Sequence, residues 1–387
     1  MNIRITLLII LTLFSFSLSA KSATAKPELV ETESARPKIV WFSTLQQDLS
    51  DKSGFWKSLH DLMAATAEDL DVDFQIYYAQ ENFLKMHQQV SDVLSNKKTR
   101  PDGIIFHNYK KLAPLILEKA EKYGVKSFIF NSGLNEENQT LLPRQEYKHW
   151  VGQMLPDDTF AGLELARCLL NAAKKQEGSH EPLQLLAMEG NLSSRAYQAR
   201  KSGLDGFLQG SSELRFNQYF PAEWSRSKAY RMFSTMLGRY PQTRIIWSAN
   251  DNMALGLIDA AHRSKFILGK NLFIGGVDWL SESIDAIKRG DMACSIGGHF
   301  VEGMWSLILM YDYLNGFDFA NQSLNFPPTF HTKMAAITTQ NVINFGSLGE
   351  KLSPRNLSKV DFRQFSKHHN PEVIEYDFSI TRFLNLL

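Results

Sequence analysis

The residues of this 387-residue chain that could do chemistry are polar and aromatic side chains placed where short apolar runs end. Segment 43–56, STLQQDLSDKSGFW, brings Gln47, Asp48 and Trp56 into one loop and the start of the segment that follows. An aromatic ring offers a flat apolar face to the CH side of a pyranose or furanose and leaves the hydroxyls to polar partners. Trp224, just after an apolar run in PAEW, supplies a second such face, so Trp56 and Trp224 are expected to sandwich a ring. His107 and Asn131 end two further runs, and Asn250 and Asp278 end two more. An amide meets a hydroxyl as donor or acceptor, a carboxylate accepts two, and histidine adds a group titrating near pH 6.5. Asn250 has a second reading, as the cap of a helix entered before Met253.

Bond-breaking chemistry finds no comparable constellation. There is no G-x-S-x-G elbow and no Walker loop, and the pair Gly275 and Gly276 lacks the rest of a dinucleotide fingerprint. His368 and His369 are adjacent, without the H-x-x-x-H or C-x-x-C spacing of a metal site. Asp157 and Asp158 would diverge on a helix and better suit its start near Thr159. Neither catalytic residue, cofactor nor metal is expected.

The elements that must position these side chains alternate in a regular way. β-Branched and aromatic runs at 38–42, 72–78, 103–106 and 127–130 are separated by helix-length amphipathic segments, such as 111–123, which stops at Gly124. A second series has strands at 183–188, 215–220, 244–248 and 272–276. Such alternation specifies parallel strands joined by helical crossovers, here as two doubly wound, Rossmann-like α/β lobes. In such sheets ligands sit beyond the carboxyl ends of the strands, where the candidate residues lie. A first crossing between lobes is expected at 150–152, a short strand at 293–296, a long apolar helix at 300–314 and a strand at 331–338. The polar tail 346–387 reads as an appendage wrapping the second lobe.

Length and charge bound the rest. A chain beyond about 250–300 residues ordinarily splits its core, which agrees with two lobes. Forty-two basic against 41 acidic residues leave a charge of +1, no field for a nucleic acid backbone, so the partner is a small molecule or another protein. Residues 1–23 read as a signal peptide: Arg4, an apolar run from Ile5 to about Leu18, then small residues. The apolar run is shorter than the roughly 20 residues a spanning helix needs, so cleavage and export to the periplasm are expected. Cys168 and Cys294, far apart in sequence, are expected as buried free thiols, with a single disulfide between them as the alternative.

The stretch SANDNMALGLIDAA at 248–261 resembles the periplasmic sugar-binding proteins of the ribose-binding type and the ligand-binding core of lactose-type repressors. LSSRAYQARKSGL (192–204), PAEWSRSKA (221–229), GGVDWLSES (275–283) and RPDGIIFHN (100–108) support it at matching offsets, over about 36–345. The resemblance implies a type 1 periplasmic binding fold with a three-crossing hinge, with 36–150 and 297–328 in the N-terminal lobe and 151–296 and 329–345 in the C-terminal lobe. It places the ligand-binding arginine at Arg200, with Arg195 as the competitor. Where relatives carry Asn and Asp, this chain has His107 and Asn131. Where they carry a hinge amide it has Gly298, with His299 beside it as the compensating residue. The implied function is a monomeric, non-enzymatic clamp that closes on a sugar-like ligand and presents itself to an inner-membrane ABC permease. The alternative is a sensor subunit signalling to a membrane kinase or cyclase, since the 45–56 loop is similar to that of the periplasmic autoinducer receptor.

Overall fold

A computed structural model describes residues 36–47, 54–138, 140–175, 181–320 and 328–387; the expected leader and Asp48 lie outside them. The first lobe carries β1 (Lys38–Ser43), α1 (Gly54–Asp69), β2 (Asp73–Tyr78), α2 (Phe83–Ser95), β3 (Gly103–Phe106), α3 (Ala113–Tyr123), β4 (Lys126–Phe130) and β5 (Trp150–Pro156). The second carries α4 (Asp158–Lys174), β6 (Leu183–Glu189), α5 (Arg195–Gln209), β7 (Leu214–Pro221), α6 (Arg226–Arg239), β8 (Thr243–Ser248), α7 (Asp251–Ala261), β9 (Phe273–Val277), α8 (Ser281–Arg289) and β10 (Cys294–Gly297). Then α9 (Glu302–Leu314) returns to the first lobe, followed by β11 (Thr329–Thr332) and β12 (Ala335–Thr338).

The sheets have equivalent orders, β2-β1-β3-β4-β5-β11 and β7-β6-β8-β9-β10-β12. Every pair is parallel except β10 with β12. Helices cover both faces of a parallel sheet, so its central strands read as near-continuous apolar runs, and β1 is buried from Ile39 onward. Helix ends follow local chemistry: Gly124 closes α3 in the left-handed region at φ 72°, and the Asp157 side chain accepts from the Phe160 amide to start α4.

Four expectations change. The segment at 150–152 is not a crossing but the start of β5, which pairs with β4 in the first sheet. Gly152 permits this, because a Cβ there would stand 2.9 Å from the rings of Phe128 and Phe319. The chain therefore crosses at Asp157, again at 298–301, and a third time at 333–334, where the expected 331–338 strand breaks into β11 in the first sheet and β12 in the second. The cysteines are bridged, not free: α4 lies across the second sheet and brings Cys168 to Cys294 of β10, Cα atoms 6.7 Å apart.

The tail does not wrap the second lobe as expected. It begins on that lobe, where the Phe345 ring packs on Trp279 and Lys288 of α8 donates to the Gly346 carbonyl, and passes through short helices α10 (Leu348–Lys351), α11 (Pro354–Leu357) and α12 (Ile380–Leu384) onto the first lobe. There the Phe362 amide donates to Asp69 of α1 at 2.7 Å, and Ser366, Lys367 and Tyr376 donate to the buried Asp312 of α9. Trp305 of α9 packs against Phe365 and Phe378. The apolar outer face of α9 explains the destination, since it must be covered by something.

Candidate functional site

In each sheet the strand order reverses at one point, with β1 between β2 and β3 and β6 between β7 and β8. The crevices at those reversals open at the carboxyl ends of the strands, and the three crossings turn them toward each other. His107 follows β3, Asn131 follows β4, Asn250 follows β8 and Asp278 follows β9, all four buried.

The second-lobe wall is built around Arg200 on α5. Its Nε donates to Asp158 Oδ1 at 2.7 Å, one terminal nitrogen donates to the Ala249 carbonyl at 2.7 Å, and Asp278 Oδ1 lies 3.6 Å away, an ion-pair distance. Burial works against the Arg200 charge, but Asp158 and Asp278 outweigh it and hold the guanidinium firmly protonated. Burial pushes the carboxyls of Asp158 and Asp278 upward, against the pull of Arg200. Beneath them Asp251 is pushed up to about 6 by burial; it accepts from the Leu280 amide at 3.0 Å and from the Ser295 hydroxyl. That pair of bonds pins the turn in which Asp278 and Trp279 take φ of 134° and 60°. Trp224, also in the left-handed region at φ 68°, lays its indole against Gly190, where a Cβ would come within 2.3 Å, and the Arg200 guanidinium lies 5.9 Å from its ring centre. Strained backbone of this kind persists only where the surroundings over-determine it, and it gathers at binding sites.

The first-lobe wall is aromatic. Trp56 lies 4.6 Å from His107, tilted 34°, with Phe130 edge-on to both rings. Burial lowers His107 to about 4, so its imidazole is neutral at physiological pH, and its Nδ1 makes no hydrogen bond. Asn131 holds φ 61°. His299 sits at the second crossing, stacked on Phe55 at 4.6 Å, with its Nε2 3.7 Å from Asp278 Oδ1. Burial, and then Arg200, push His299 well below its ordinary value; it is a neutral ring beside the carboxylate, not its ion partner.

Of the ten sequence candidates, then, the structure brings His107, Asn131, Arg200, Trp224, Asn250, Asp278, His299 and Trp56 to the facing ends of the two sheets. Asn250 fulfils its second reading: its Oδ1 accepts from the Met253 amide at 2.9 Å and caps α7, leaving the side-chain NH2 for another partner. Gln47 is exposed. Sequence reasoning missed four residues. Asp158 is the main partner of Arg200, hidden by the misplaced crossing just before it. Asn108 and Asn135 form a relay at the cleft lip: Asn108 Nδ2 donates to Asn135 Oδ1 at 3.0 Å, and Asn135 Nδ2 donates across to the Ser193 carbonyl of the second lobe at 3.0 Å. The fourth is Glu302, whose signal was an acid in the first turn of a largely apolar helix. Among the described residues no group of three or more His, Cys, Asp or Glu converges as a metal site, and no helix is long and apolar enough to cross a membrane.

Two parallel α/β lobes, three crossings and a polar-aromatic crevice between facing strand ends define a ligand-binding clamp. Residues 49–317 match the family described as periplasmic binding protein domain, and the chain belongs to that family. It is 24% identical over 261 residues to the D-allose-binding periplasmic protein of Escherichia coli K12, covering 67% of this chain and 80% of that one. Over 157 residues it is 28% identical to the ribose import binding protein of Haemophilus influenzae, covering 40% of this chain and 50% of that protein. A periplasmic sugar-binding protein of Pseudomonas fluorescens superposes with a TM-score of 0.78 at 29% identity, over 90% of this chain and 99% of that one. An Actinobacillus succinogenes solute-binding protein with bound D-allose shares the fold at a TM-score of 0.65 and 18% identity, over 80% of this chain and 100% of that one.

Proposed function

We propose that this chain is a periplasmic sugar-binding protein whose lobes close on a sugar or sugar-like polyol and present the closed form to an ABC importer, without catalysis. The observation that carries the reading is Arg200, buried and held by Asp158 at the cleft, with Asp278 beside it, opposite a wall of Trp56 and His107. One wall accepts and donates hydrogen bonds to hydroxyls, and the other meets the apolar face of a ring. Contacts from both lobes then favour the closed over the open state. The allose and ribose proteins to which the chain is similar support the ligand class and the periplasmic setting. Residues 1–23 would direct export, and 36–47, 54–138, 140–156, 302–320 and 328–332 form the lobe that carries Trp56. The likeness to a ribose import binding protein favours import over the sensor role.

The test is thermal unfolding of the mature protein against a panel of monosaccharides and polyols. A ligand at 100 times its Kd stabilises by about 2.7 kcal/mol. An upward shift in Tm with one sugar, lost in Asp278→Ala, supports the reading. A folded protein that no sugar or polyol shifts refutes it.

A further inference from the structure

Trp224 is held by residues outside the wall described above. Glu189, the last residue of β6, makes two of the connections. Its backbone carbonyl accepts from the amides of Ala222 and Glu223 at 3.0 and 3.1 Å, which fixes the turn where Glu223 and Trp224 take φ of 53° and 68°. Its side chain accepts from the hydroxyl of Tyr197 on α5, both residues being buried, and the Tyr197 ring meets the Trp224 indole edge-on with ring centres 6.3 Å apart. Burial, and then Glu189, push the Tyr197 phenol above its ordinary range, so it keeps the proton it donates. Gly190, the next residue, is the floor: the three atoms nearest a Cβ placed there all belong to the indole, at 2.3 to 2.5 Å. Gly190 does not lie in the left-handed region, so it is the ring, not the backbone, that requires a glycine.

Both flanks of this pocket face the first lobe. Asn135 of that lobe donates to the Ser193 carbonyl in the loop after Gly190. On the other flank the Glu223 carboxyl is held low by Lys228 and, more weakly, by Lys110 of the first lobe. Trp224 itself is half-buried, with the Arg200 guanidinium on its inner side. A tryptophan free to change rotamer must be frozen when a ligand stacks on it, whereas one already fixed by a glycine floor, an aromatic edge and a hydrogen-bonded turn avoids that cost. Its flat apolar surface fits the CH face of a closed ring, while an open chain must first be ordered against it.

We propose that Glu189, Gly190 and Tyr197 are positioning residues that fix the Trp224 indole in the cleft, and that this fixed indole selects a ring-closed sugar over its open-chain alditol. The proposal rests on the sugar-binding reading above and narrows its ligand class.

The experiment is titration calorimetry on the mature protein with ribose and ribitol, allose and allitol, glucose and glucitol, and galactose and galactitol. At least one aldose is expected to bind about tenfold or more tighter than its alditol. Trp224→Ala should erase that preference. Gly190→Ala, which displaces the indole, should weaken the aldose about tenfold, and Tyr197→Phe, which frees the ring behind it, about threefold, with the alditol little changed. In the Trp224→Ala background neither substitution should weaken binding further, an outcome that damage to the fold at large would not produce. Equal affinity for aldose and alditol, Gly190→Ala or Tyr197→Phe binding like the parent, or either costing as much without Trp224 as with it, overturns the proposal while leaving sugar binding intact. So does binding of another member of the panel when none of these aldoses binds. If the full panel above leaves the protein unbound, the sugar-binding reading itself falls, and this proposal with it.

Discussion

The two walls of the cleft solve the same task with different chemistry. The second-lobe wall is ionic and largely engaged with itself: Arg200 is held by Asp158 and Ala249, and Asp251 fastens the turn that presents Asp278, while the Asn250 NH2 stays open to a ligand. The first-lobe wall is aromatic, and its polar atoms, His107 Nδ1 and Ser132 Oγ among them, are buried without hydrogen bonds. A wall whose polar groups satisfy each other is preorganised before the ligand arrives, while a wall with orphaned groups gains its partners on binding or closure. The difference implies that the ligand docks first on the second lobe and that the first lobe closes over it.

The hardest blow to that contrast is Arg200→Met. It leaves Asp158 and Asp278 buried without their cation, which is expected to cost about 3–5 kcal/mol of stability in urea unfolding and to abolish sugar binding. An unchanged unfolding midpoint would mean that the ionic wall is not preorganised as drawn.

The first-lobe wall should instead reveal itself through pH. His107 is held near 4 in the folded protein, below the 6.5 of an unfolded histidine, so the unfolded chain takes up the proton first as pH falls. Its contribution is fully present above about pH 6.5 and is lost as pH falls toward 4, an effect of roughly 3 kcal/mol. Unfolding of the parent and of His107→Phe at pH 7.5 and 5 checks this, the variant being expected to show the shallower loss. Equal losses would remove His107 from the account.

Trp56→Ala should weaken sugar binding about tenfold through lost ring stacking, read by calorimetry, with the second-lobe contacts intact. Affinity unchanged would leave the aromatic wall with no part in recognition. The smallest effect expected is that of Asn135→Ala, which removes the direct bond from the first lobe to Ser193: about 1 kcal/mol off the closed state and a severalfold loss of affinity. Small-angle scattering of the ligand-free variant should show a more open envelope than the parent, and an identical envelope would mean that the lip relay is not a latch.

Much of this was legible because it is local. The apolar runs that became β1, β3, β4 and β8 carry their own period and β-branched composition, Gly124 marks a helix end, and residues just past a strand inherit a place at its end, which is how His107, Asn131, Asn250 and Asp278 were found. The failures share a different cause. Nothing in the composition of 150–156 says whether an apolar strand extends one sheet or leads to the next; that follows from Gly152 making room for Phe128 and Phe319. The bridge between Cys168 and Cys294 spans 126 residues and needed the lie of α4 across β10 to be known. The polar sequence of the tail does not name the surface it covers, whereas Asp69 and Asp312 do so once α1 and α9 stand side by side.

By itself, the sequence determined the alternation of strand and helix, the two-lobe division and the polar and aromatic residues at the strand ends, since backbone propensity and hydrophobic period act over a few residues. Only the tertiary structure decided that Asp158 is the partner of Arg200, that Asn135 reaches across to Ser193, and that Glu302 is fully buried at the second crossing. Hydrogen bonding and desolvation depend on which groups meet across distant segments, and a linear order of residues does not carry that information.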